Sequence, residues 1–230
     1  MTQAQKTYGR VLAWLEQALR SGELAVGMPL PPERELAEAL GISRNTVREA
    51  LRQLEHMGFV VSSQGAGNFL CCGIQRNLQD SFELLMLMQQ VDCRQLAELR
   101  TGLERQAALL AVQRITPAQA EEMVKLARAM AHAGPEEAAR LDKQFHDTLA
   151  GLSGNRLILE ILGALSGTID RFIADMRRRI LRQGETGVQL QYAHEQMADA
   201  LARRDALQLT LALEQHFRIV DEAMAAGAEG

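Results

Sequence analysis

Between Pro31 and Leu70 the apolar positions fall into two short stretches of helical period, followed by two of strand period. Leu36, Ala37 and Leu40 make the first stripe. Pro31 and Pro32 lead into it, and Glu33 and Glu35 occupy a first turn where the helix dipole favours acids. Gly41 closes this helix as a C-terminal cap, and Ser43 is an N-cap for the next. The second helix runs to about Met57 and turns Val47, Ala50, Leu51, Leu54 and Met57 inward, with Gly58 as its stop. Phe59-Val60-Val61 reads as a strand, Gln64-Gly65-Ala66-Gly67 as a turn, and Asn68-Phe69-Leu70 as the returning strand. Two helices joined by a tight turn and followed by a hairpin are the outline of a helix-turn-helix with a β-wing. That device lays one helix in the major groove of DNA.

From about Ile74 onward strand signals vanish and seven helical patterns follow, at about 77–90, 92–113, 117–132, 135–151, 155–182, 188–203 and 205–225. Asp92, Asn155 and Asp205 are plausible N-caps, and Thr116-Pro117 and Gly134-Pro135 place proline at a first helical position. Breaks are expected at Gly151-Leu152-Ser153-Gly154 and Gln183-Gly184-Glu185-Thr186-Gly187. The expected fold class is mainly α, with a winged helix-turn-helix at residues 1–72 and an all-α antiparallel bundle at 73–230.

Composition adds one correction to the DNA-binding picture. The 230-residue chain is 47% hydrophobic and only 4% aromatic, which suits a Leu/Ala helical core, but its net charge is −4. Residues 1–70 carry seven basic and seven acidic side chains, so the reading unit is neutral. Binding must therefore come from local placement, not from a global positive field. Arg44, Arg48 and Arg52 recur every four residues on the face opposite the apolar stripe. A planar guanidinium can grip phosphate or a guanine edge through two hydrogen bonds. Ser43, Asn45 and Thr46 are short polar groups near the helix N-terminus, placed to meet a phosphate or a base edge. The wing tip, with Gln64 and Gly65, can enter an adjacent minor groove.

There is no signal peptide and no apolar run near the length of a membrane span, so a cytoplasmic protein with no membrane association is expected. Cys71, Cys72 and Cys93 form no C-x-x-C pair and suit a reducing compartment. The run Arg177-Arg178-Arg179 reads as a solvated face.

Three of the five histidines hold telling positions. His146 follows Asp142 by four residues, which puts both on one helix face, while His194 and His216 fall on the last two helices. A carboxylate and three imidazoles converging in a bundle would bind a divalent transition metal, with zinc, nickel, manganese and copper all open. Neutral imidazole and ionised carboxylate are required, so affinity should weaken in acid.

The run PPERELAEALGISRNTVREALRQLE with its G-x-G wing resembles the winged helix-turn-helix of GntR-type bacterial transcription regulators, over residues of about 8–70. The resemblance implies DNA contacts from Arg34, Arg44, Thr46, Arg48 and the wing-tip Gly65. In the second half, Glu98-Leu99-Arg100, Asp142 to His146, Ser153-Gly154-Asn155, His194-Glu195 and His216-Phe217 resemble the FCD effector domain of the FadR subfamily, over about 75–225. That resemblance assigns Asp142, His146, His194 and His216 as metal ligands, with zinc the first expectation. It also puts Arg100 beside the pocket as the partner of an effector carboxylate. Asn155 is either a further pocket residue or only a helix cap, and Arg100 has the alternative of pairing with Glu104.

These readings converge on a regulator, most simply a repressor, not an enzyme. It would bind double-stranded operator DNA as a homodimer under control of a small carboxylic acid. The competing expectation is a metal-dependent enzyme with an accessory DNA-binding head.

Overall fold

The computed structural model describes residues 3–182 and 184–228. It divides into two compact units, Met1–Leu78 and Gln79–Gly230.

The first unit contains α1 (Gln3–Ser21), α2 (Glu33–Leu40), α3 (Arg44–His56), β1 (Val60–Ser63) and β2 (Gly67–Leu70). Gly41 takes the left-handed conformation at the end of α2, and Ser43 caps α3 by accepting the Thr46 N–H at 3.2 Å. α1, which the sequence pattern did not single out, packs on α3 and contributes Val11, Leu15 and Ala18 to a core with Leu36, Val47, Leu51, Leu54, Val60 and Leu70. β1 and β2 pair antiparallel, with Val60 opposite Leu70 and Ser63 opposite Gly67. The chain just before α2 runs along β2 as well, since Leu30 donates to Asn68 O and Leu70 donates to Met28 O. Met57 departs from the expected inward position. It follows the last residue of α3 and is exposed, because the chain is already turning into Gly58.

α4 (Gln75–Leu87), α5 (Cys93–Arg114), α6 (Pro117–Ala131), α7 (Pro135–Leu152), α8 (Arg156–Arg182), α9 (Gly184–Arg203) and α10 (Ala206–Ala228) complete the chain. Their starts are chemically marked. Asp92 and Thr116 form capping boxes with Gln95 and Gln119. Asn155 accepts from Leu157 N and Ile158 N, and Asp205 accepts from Gln208 N. α9 begins at Gly184, inside the stretch expected to break the chain. Glu185 in its first turn supports that start through the helix dipole, and Gly187 is carried within the helix. α5 packs on α7, α8 and α10, and α9 packs on α6, α8 and α10. Small residues at Ala107, Ala108 and Ala111 on α5 are wholly buried, with Phe145, Leu149, Met197, Leu201 and Leu213 also in the core. The fold is mainly α with one small wing.

Gly58 joins the reading helix to the wing at φ +78°, and a Cβ there would overlap the Gly73 carbonyl. Gly58→Ala therefore combines left-handed strain with a backbone clash. It should destabilise the first unit by about 2 kcal/mol or more. Thermal melts followed by circular dichroism check this, and an unshifted transition would show that the wing can relax around the methyl.

Candidate functional site

On α3, Arg44 and Asn45 are exposed, and Thr46 and Arg48 are half-buried. Arg48 is held by α2: its Nε donates at 3.1 Å to both Glu33 oxygens, and a terminal nitrogen donates to Glu33 Oε2 at 2.8 Å. That hydrogen bond draws the Glu33 carboxyl below its ordinary pKa. Arg52 pairs with Glu49 at 3.1 Å, and Arg34 on α2 is exposed 3.9 Å from Glu38. Gln64 and Gly65 are exposed at the hairpin turn, Gly65 with φ +78°.

The second cluster is buried. Asp142 and His146 share a face of α7, His194 comes from α9 and His216 from α10, each at most 4% exposed. One donor atom from each lies within 4.8 Å of the others. His194 Nε2 is 3.0 Å from Asp142 Oδ1 and 3.3 Å from His146 Nε2. Donors bound to one ion at roughly 2.0–2.1 Å stand about 3.0–3.4 Å apart, so these spacings suit a single metal. His194 Nδ1 donates to Leu190 O at 2.9 Å, which turns Nε2 toward Asp142 and His146. His216 Nδ1 is buried with no protein partner. Burial first, then the neighbouring imidazoles His194 and His146, push His216 well below the ordinary histidine pKa, so the ring is neutral and able to ligate. One carboxylate and three imidazoles thus converge, a donor set that fits a divalent transition metal.

Two residues complete it that the sequence pattern did not assign. Arg177, expected on a solvated face, is buried with its Nε against Asp142 Oδ2. Burial alone would raise the Asp142 carboxyl. Arg177 and then His194 outweigh that and hold it well below the usual carboxylate range. Arg177 follows Ile173 by four and precedes Ile180 by three, both buried, so it lies on the apolar stripe of α8. That phase was the readable signal. Glu104 is the other, 2.5 Å from both Arg100 Nε and His146 Nδ1. Arg100, Glu104, Asp142, His146, Arg177 and His216 line a cavity of about 40 Å³ whose remaining wall is mostly apolar, including Ile173, Leu190 and Phe217. Asn155 is not among the residues lining it and serves as the cap of α8.

The profile of the FCD domain matches residues 95–219, and that of bacterial regulatory proteins of the gntR family matches residues 7–70. The chain belongs to the GntR family. The HTH-type transcriptional regulator LutR of Bacillus subtilis (strain 168) is 31% identical over 209 residues, covering 90% of this chain and 95% of that one. A putative L-lactate dehydrogenase operon regulatory protein of Escherichia coli (strain K12) is 29% identical over 205 residues, covering 87% and 80%. Among solved structures, a Streptococcus agalactiae GntR superposes with a TM-score of 0.69 at 27% identity, covering 96% of this chain and 99% of that one. This GntR-family chain is a transcription regulator with a DNA-binding winged helix and a helical FCD domain. No helix among the described residues is long and apolar enough to cross a membrane.

Arg177→Met should cost the metal-free protein about 3–5 kcal/mol, because it leaves the buried Asp142 carboxylate without its guanidinium. Adding zinc should recover part of that loss by supplying counter-charge. Urea denaturation with and without zinc reads both numbers, and an equal loss in the two conditions would detach Arg177 from the metal cluster.

Proposed function

We propose that this regulator binds a palindromic operator as a homodimer and acts as a repressor. In this reading a small carboxylic acid, bound beside a divalent transition metal in the FCD unit, sets operator affinity. The observation that carries the reading is the Asp142/His146/His194/His216 cluster opening onto a cavity with two buried guanidinium groups. Charge argues for an anion. Arg100 and Arg177 are offset by Glu104 and Asp142, so the site without metal is close to neutral when the imidazoles are neutral. A divalent ion would leave it strongly positive in a buried setting, which an anionic ligand relieves.

Size argues for a small one. One water-sized sphere needs roughly 10–15 Å³, so about 40 Å³ admits a few heavy atoms and no long acyl chain. Arg100 is the proposed partner of the acid carboxylate. The metal, zinc first with nickel or manganese as alternatives, would be held by the Asp and three His and would offer a Lewis-acidic coordination position. The E. coli relative is named for an L-lactate dehydrogenase operon, which makes lactate-sized acids the first to try. At the other end, Arg34, Ser43, Arg44, Asn45, Thr46, Arg48, Gln64 and Gly65 form the proposed DNA-contacting set. No catalytic role is assigned, and the protein is expected to act in the cytoplasm.

Elemental analysis of purified protein should give about one equivalent of transition metal. One member of a panel of short hydroxy and keto acids should then raise the melting temperature only in metal-loaded protein. His194→Ala should abolish both the metal and the acid-induced shift, and metal retained in that variant would remove His194 from the ligand set. Metal retention should also decline in acid, because protons compete for the imidazole lone pairs; His216, held by burial well below the ordinary histidine range, keeps its lone pair to lower pH than a free imidazole would. Arg48→Ala should weaken operator binding in a mobility-shift assay while leaving metal content unchanged. Equal operator affinity would exclude α3 as the reading helix in the form proposed.

A further inference from the structure

We propose that Glu104 is a positioning residue: it fixes which nitrogen of His146 faces the metal cluster and ties that histidine to Arg100. This deepens the reading above and rests on it for the identity of the ligand set.

α5 places Arg100 and Glu104 one turn apart, and α7 places His146 against them. Glu104 is 3% exposed and shares itself between two neighbours. Its Oε1 accepts Arg100 Nε–H at 2.5 Å, and its Oε2 stands 2.5 Å from His146 Nδ1. Paired with the Arg100 guanidinium, which stays charged, it is a carboxylate with acceptor oxygens only. A carboxylate oxygen at 2.5 Å from an unprotonated ring nitrogen would set lone pair against lone pair. His146 Nδ1 therefore carries the proton, and Nε2 presents its lone pair toward His194 Nε2, 3.3 Å away. His194 is oriented differently, from the backbone, by its Nδ1 bond to the Leu190 carbonyl. Arg100, itself a lining residue of the cavity, spends its Nε on Glu104, and that bond leaves its terminal nitrogens uncommitted to this carboxylate oxygen. One carboxylate thus holds both the proposed acid anchor and a metal ligand.

The geometry makes a sharp demand on an isosteric change. In Glu104→Gln the side chain has one acceptor and one donor group. Arg100 Nε–H can only donate, so it claims the amide oxygen. The amide NH₂ is left facing His146 Nδ1, which must then accept. The ring proton moves to Nε2, and the nitrogen that would ligate becomes an N–H.

The experiment uses full-length protein carrying ¹⁵N-labelled histidine, metal-free, with ring tautomers read from long-range ¹H–¹⁵N correlation spectra. His146 should be protonated at Nδ1 in the wild type and at Nε2 in Glu104→Gln. Zinc affinity, from competition with a chromophoric chelator, should fall about 10- to 100-fold in that variant. In the double variant Glu104→Gln/Arg100→Met the amide oxygen is released to turn toward His146. The Nδ1–H tautomer and most of the zinc affinity should then return, although the second substitution removes another buried charge. A role in packing alone predicts the opposite, a double variant weaker than the single one. A wild-type ring protonated at Nε2, or a single variant with unchanged tautomer and zinc affinity, would overturn the proposal. Absence of zinc uptake by the wild type would instead overturn the metal reading, with the tautomer still deciding the role of Glu104.

Discussion

An ionised carboxylate in the core of a helical bundle loses several kcal/mol of hydration unless charge and hydrogen bonds meet it from close range. Asp142 sits under that constraint, and much of the FCD unit is arranged around it. α8 answers with Arg177, α9 with His194, and α7 itself supplies His146 one turn on. His146 in turn stands beside the buried Glu104, and Glu104 takes its own counter-charge from Arg100. The network is a closed chain of acids, bases and neutral rings with no formal excess of either sign when the rings are neutral. Such an arrangement is a poor source of stability compared with a hydrocarbon core of the same volume. Its use lies in holding donor atoms where aliphatic side chains would have packed. The surrounding core is built to allow this: wholly buried alanines on α5 contribute little side-chain volume, and Phe145 packs edge-on against both His146 and His194.

The first unit solves a different electrostatic problem with the same economy. With seven basic and seven acidic residues in its first 70 positions, it has no broad positive field to draw DNA in. What it has is orientation. Glu33 at the start of α2 engages two nitrogens of Arg48, so a long and otherwise mobile side chain is held between the two helices of the motif. A pre-placed guanidinium loses less rotamer freedom when a base edge arrives. In the proposed contact with DNA, Glu33 would compete with the nucleic acid for the same Arg48 donors, which would favour geometry over raw charge in selecting a binding sequence.

The sequence displayed α2, α3 and the wing because their signals are local, while α1 carried no such punctuation and went unread. Gly41 and Gly58 need left-handed backbone, Ser43 needs only the N–H of Thr46, and the wing turns at Gly65, two residues from either strand, and at Gly67, which opens β2. Caps such as Asp92 and Thr116 were legible for the same reason. The ligand set was partly legible: spacing put Asp142 and His146 on one face, but only resemblance joined them to His194 and His216, since no local rule brings three helices together. Arg177 and Glu104 were misjudged or left aside because a charged residue in a helix is ordinarily solvated. Their register with Ile173, Ile180, Leu96 and Ala107 said otherwise, but only a partner from another helix gives that register meaning.

A ligand in this cavity can act on DNA binding only by preferring one packing of the helices over another. The lining residues come from α5, α7, α8, α9 and α10, so even a molecule of a few heavy atoms would touch side chains from most of the bundle. Close-packed interiors do not deform smoothly; they shift between discrete arrangements of side chains. α4 lies directly on two of the helices concerned, with Phe82 and Met86 packed against Leu96 of α5 and Leu165 and Ile169 of α8. It is also the first helix after the wing, beginning at Gln75, only a few residues past the end of β2 at Leu70. In the proposed reading, a change in how α5 and α8 seat around a bound acid would reach Phe82 and Met86 of α4.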